Sequence, residues 1–148
     1  MVKSEFLTSL DARQLDDENS YLLSDLKYRS ELLGGILTVP KGFVNDRSST
    51  PRVPLIYTLY GGRSHHEGVC HDFLYRVKDH KVTIEKEDGT IKELVVSKSL
   101  ADKVFFEAMV ARDKSFGIRW GMYLGVKFGG YSSWKTGNER FKIILIDN

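Results

Sequence analysis

A chain of 148 residues, 41% of them hydrophobic and 11% aromatic, is long enough for one domain with its own core. Its single cysteine, Cys70, excludes an internal disulfide and a four-cysteine zinc site. The formal charge of +2 is dispersed without a basic run, which argues against nucleic acid as a partner; the N-terminal residues lack a signal-peptide core, and no apolar run nears the roughly 20 residues that span a bilayer.

Phe6, Leu7 and Leu10 predict a short strand or arm, followed by a surface turn at Asp16 to Asn19. The stretch from Tyr21 to Tyr28 reads as a partly buried strand; after Gly34-Gly35, the β-formers Ile36 to Val39 predict its hairpin partner. Residues 40–54 hold all three prolines and form a loop; Asp46, Ser48 and Ser49 on it are candidates to contact a substrate. Ser64 and Glu67 have capping-box spacing for a helix running to about Arg76. Residues 81–97 alternate around Asp88-Gly89, a favoured two-residue turn, and predict a β-hairpin inserted at the periphery. A second helix runs roughly from Leu100 to Arg112 with Ser99 as its cap, and a third from Ile118 to Phe128. Phe141 to Ile146 reads as a closing strand. The expected fold is α+β, one domain over 1–148, with a small antiparallel sheet packed on about three helices.

The chemistry concentrates on the first two helices. His71 and Tyr75 are four apart and share a face, with Asp72 and Arg76 paired beside them. If the two helices pack antiparallel, Asp102 faces His71. His71 would then be a base, Asp102 its orienting group, and a metal or Arg76 the positive charge for an oxyanion. The structural alternative pairs Asp72 with Arg76 and bonds His71 to a backbone carbonyl or to Asp46, so that the cluster only fastens the loop. Five candidate ligands, His65, His66, Glu67, His71 and Asp72, lie close together in sequence and admit a divalent metal. Zinc would draw on His66, His71 or Asp72 with Asp46 or Asp102, whereas calcium would favour the carboxylates. Cys70 beside His71 reads as a small core residue rather than a nucleophile. Trp120, Tyr131 and Trp134 are candidates for a contact surface.

Val39-Pro40-Lys41-Gly42-Phe43, Asp46, Ser49 and Pro51, then His71-Asp72-Phe73-Leu74-Tyr75, then Ala101-Asp102 and Phe105, resemble the domain of unknown function 1353 family of tailed bacteriophages and prophages. The resemblance covers roughly residues 20–130. Asn45 stands where that family usually has threonine, and Arg47 where it has a small residue. It implies a phage setting, in the host cytoplasm or the virion, with phage structural proteins or a host protein as partners, and it brings no activity. Tyr60-Gly61-Gly62 ahead of His71-Asp72 and Tyr75, with Asp102 on a further helix, is similar to the site of secreted phospholipase A2. That similarity implies His71 as base, Asp72 as calcium ligand and Asp102 as orienting group, although the disulfide framework and full calcium loop are missing. Two functions are therefore expected: a hydrolase-like protein acting on a lipid ester or cell-wall component, or a non-enzymatic virion, tail-accessory or host-interaction protein.

Overall fold

The structure, a computed structural model, describes residues 3–16, 19–46 and 66–146. Eight short strands, β1 (Glu5–Phe6), β2 (Ala12–Gln14), β3 (Asn19–Leu22), β4 (Leu26–Ser30), β5 (Gly35–Val39), β6 (Val44–Asp46), β7 (Lys81–Glu85) and β8 (Ile91–Val95), build two antiparallel sheets among the described residues. The larger sheet runs β1-β4-β5-β7-β8 and the smaller β2-β3-β6. Helices α1 (His66–Arg76), α2 (Lys98–Ala111), α3 (Phe116–Gly129) and α4 (Tyr131–Thr136) complete the α+β fold.

Alternation sets the core face of the sheet. Leu26 and Tyr28 on β4, Leu37 and Val39 on β5, and Val82 and Ile84 on β7 are buried, while the residues between them are more exposed. They pack with Val69, Leu74, Ala101, Val104 and Ala108 from α1 and α2, and a second cluster of Phe105, Met109, Met122 and Val126 joins α2 to α3. The β4–β5 hairpin forms as expected, with Gly34 at φ 79° in its turn. The predicted strand from Tyr21 to Tyr28 is two strands, because β3 pairs with β6 and β4 with β1 and β5.

Four further expectations change. The 81–97 hairpin is not peripheral: β7 pairs with β5 and carries core residues, and only β8 is an edge. Its turn has three residues, Glu87 to Gly89, since Lys86 N–H bonds Thr90 O and Gly89 takes a left-handed φ of 84°. α2 begins earlier than expected, because Ser97 has extended backbone and its hydroxyl accepts Leu100 N–H; Ser97 is the cap, not Ser99. The tail is not a strand, since it makes only an isolated bridge between Phe43 and Ile143. Phe141 seats against Phe43 and Phe73, whereas Leu145 is exposed. The Ser64 cap, Leu55 to Tyr60, His65, Ser48 and Ser49 lie outside the described residues.

Candidate functional site

α1 and α2 run antiparallel. At one end His66 and Glu67 of α1 face Arg112 beyond the C-terminus of α2, and at the other His71 and Tyr75 meet Asp102 near its start. This places three donors around one buried carboxylate. His71 Nε2 lies 2.9 Å from Asp102 Oδ1, and Tyr75 donates its hydroxyl to the same oxygen at 2.5 Å. Lys98 Nζ donates to Oδ2 at 2.8 Å. Because a carboxylate can only accept, the His71 contact places a proton on Nε2, and in the neutral ring the lone pair is then on Nδ1. Among the described residues Nδ1 has no hydrogen-bond partner, and 11% of the His71 side chain reaches solvent against 3% of Asp102. The imidazole is clamped between the rings of Tyr75 and Phe105, with centroids at 4.2 and 4.6 Å.

The electrostatics follow from these contacts. Burial alone would raise the Asp102 carboxyl, but the hydrogen bond and charge of His71, with the bonds from Lys98 and Tyr75, outweigh it and hold the group below its ordinary 3.8. The Tyr75 hydroxyl is pushed well above 10.0, first by burial and then by its bond to Asp102, so it stays a donor. Burial also pushes the Cys70 thiol up, with the Glu67 charge adding to it, which suits a core residue and not a thiolate nucleophile.

Lys98 is the site residue that sequence reasoning missed. Its ammonium also donates to Val126 O at 2.9 Å and Lys127 O at 3.2 Å, two terminal carbonyls of α3, so it ties that helix end to Asp102. The signal was present as the i,i+4 spacing of Lys98 and Asp102, hidden by starting the helix at Leu100. Tyr75 is held from behind by the edge of Trp134 and by Gly130 and Gly137: a methyl on Gly130 would come within 2.7 Å of the Tyr75 hydroxyl oxygen, and one on Gly137 would run into its carbonyl oxygen.

Other expected site residues are placed elsewhere. Arg76 is buried, 3.0 Å from Asp72 Oδ1, and donates to Val44 O at 3.4 Å. It therefore fastens α1 to β6 and is spent on Asp72, which is the pairing of the structural alternative. Asp72, offered as a calcium ligand, is buried in that same pair. His66 accepts Leu10 N–H at Nε2, 3.0 Å away, and has Arg112 Nη1 2.7 Å from Nδ1. Among the described residues no group of three or more His, Cys, Asp or Glu side chains converges as metal ligands would. The backbone of Asp46 closes β6 opposite Asn19, and its side chain lies outside the described residues.

The described chain is thus an α+β domain in which two antiparallel helices bury a carboxylate that orients a partly exposed histidine. It belongs to the family described as Protein of unknown function (DUF1353), whose model matches residues 20–126 and so contains His71, Tyr75, Lys98 and Asp102. No curated protein and no solved structure matches the chain.

Proposed function

We propose that this is a hydrolase-like protein in which the His71–Asp102 pair activates water. The observation that carries the proposal is the orientation of the imidazole: Nε2 is committed to a buried carboxylate, while Nδ1, the lone-pair nitrogen of the neutral ring, has no protein partner among the described residues. A water at Nδ1 would lose its proton to the ring as it attacks, and Asp102 would stabilise the resulting imidazolium. Tyr75 and Lys98 hold Asp102 ionised and correctly turned, which makes them positioning residues. Arg76 has no part in this scheme, since Asp72 neutralises it. The substrate class is a lipid ester or a cell-wall component, and the motif resemblance supports a phage or prophage setting.

A second reading rests on a different observation. Both oxygens of Asp102 are occupied, and its contacts, with those of Lys98, join α1, α2 and the end of α3. On that reading the cluster is a structural clasp in a non-enzymatic virion, tail-accessory or host-interaction protein. A screen of lipid esters, peptidoglycan and phosphodiesters with wild type and His71→Ala separates the two, run with and without calcium or zinc and with elemental analysis of the purified protein. Turnover of one class, lost in His71→Ala, is expected. No turnover in any class, with His71→Ala only lowering the melting temperature, contradicts catalysis and supports the clasp.

A further inference from the structure

α3 is apolar on two sides. Met122 and Val126 face inward, onto Phe105 and Met109 of α2. On the other side Phe116, Trp120, Leu124 and Phe128, each four residues from the last, form an exposed ridge one helix long, with Phe116 68% and Phe128 73% exposed. A groove of about 420 Å³ opens beside it, walled by Leu32, Lys103, Phe106, Glu107, Trp120 and Tyr123. A contiguous row of this kind marks an interaction surface, since isolated exposed apolar residues are ordinary but a ridge is not.

The charges around the ridge select its occupant. Within α3 itself the charged residues are Arg119 and Lys127, both basic, whereas Lys114 ahead of the helix pairs with the buried Glu67. The cations lie over the aromatic rings of the ridge and its flanks: Arg119 over Phe106 and Phe116, and Lys127 over Tyr123 and Phe128. Aromatic and aliphatic side chains at one level, with ammonium and guanidinium groups beside them, match the boundary between acyl chains and anionic headgroups. Two copies of the same basic face would repel each other. At 14 residues α3 is only about 21 Å long and cannot cross the roughly 30 Å hydrocarbon layer.

We propose that the outer face of α3 docks flat on a lipid bilayer bearing anionic headgroups. The inference is independent of the chemistry at His71. The test is co-sedimentation of the full chain with phosphatidylglycerol vesicles and with phosphatidylcholine vesicles, together with sedimentation velocity of the protein alone. Wild type should pellet with the anionic vesicles and at least about tenfold more weakly with the neutral ones or in high salt. Phe116→Ser/Phe128→Ser and Arg119→Glu/Lys127→Glu should each weaken binding about tenfold or more, with melting temperatures near wild type because these side chains lie largely outside the core. Absence of binding, equal binding to both vesicle types, or binding unchanged in both variants would overturn the proposal. A concentration-dependent dimer abolished by Phe116→Ser/Phe128→Ser, without vesicle binding, would assign the ridge to a second copy and overturn it equally.

Discussion

Helix α2 carries two carboxylates, five residues apart, that each accept a tyrosine hydroxyl, yet their surroundings differ in kind. Glu107 takes Tyr28 O–H at 2.6 Å, Ser30 O–H at 2.7 Å and the Leu32 N–H at 3.0 Å, all neutral donors from β4 and the turn that follows it. Asp102 takes a tyrosine, a lysine and a histidine, two of them groups that carry or exchange protons. The same helix thus holds a carboxylate that fastens the sheet and one that orients an ionisable ring. What separates them is the chemistry of the donors, since both are tightly hydrogen-bonded.

That contrast is open to experiment. The largest stability effect should come from Glu107→Ala, which leaves the buried Tyr28 hydroxyl and Ser30 without an acceptor and should cost about 3 kcal/mol or more in denaturant unfolding. A loss below about 1 kcal/mol would remove Glu107 as a fastener. Asp102→Asn should cost about 2 kcal/mol at neutral pH, since Lys98 and His71 lose their anion. Its pH dependence is specific. The folded Asp102 carboxyl lies below its ordinary 3.8, so its contribution is present above that value and lost as pH falls through the folded value. The gap between wild type and Asp102→Asn should therefore close in acid, and a gap independent of pH would contradict the charge argument.

Smaller effects separate the two tyrosines. Burial, followed by the bond to the carboxylate, raises both Tyr28 and Tyr75 above 10.0, so the folded state holds those protons and loses stability as pH rises past that value. Tyr75→Phe should cost about 1 kcal/mol at neutral pH and blunt the alkaline loss without abolishing it, because Tyr28 still contributes. An unchanged alkaline profile would show that Tyr75 is not held protonated by Asp102. The smallest change should be Lys98→Met, about 1 kcal/mol or less, since the side chain retains its apolar stem; a larger loss would make Lys98 the main anchor of α3.

The part of this site that was legible in the sequence is the part governed by helical period. His71 and Tyr75 share a face by spacing, and Asp72 pairs with Arg76 for the same reason. Asp102 meeting His71 required only that two consecutive helices run antiparallel. Lys98 was hidden by a cap one serine too late, and helix boundaries rest on a single residue's backbone angles, which spacing does not encode. Glu107 gave no signal because its three partners come from β4 and its turn, more than seventy residues away. Likewise the alternation over 81–97 identified strands but not their neighbours, so the hairpin's place beside β5 was not readable. Phe141 to Ile146 has strand composition but bonds the chain beside β6 only around Phe43, through Val44 N–H to Lys142 O and Ile144 N–H to Gly42 O, so it makes a single bridge rather than a ladder.

The most direct test of the account is the hydrolysis rate of wild type and His71→Gln on whichever lipid-ester or cell-wall substrate the wild type turns over, with thermal melting measured on the same preparations. A general base of this kind contributes about 10²–10⁴-fold, so His71→Gln should lose at least about a hundredfold in kcat while still folding. A folded His71→Gln that retains the wild-type rate, or a wild type that hydrolyses none of these substrates, would contradict the catalytic role of His71 and leave Asp102 as a second fastener like Glu107.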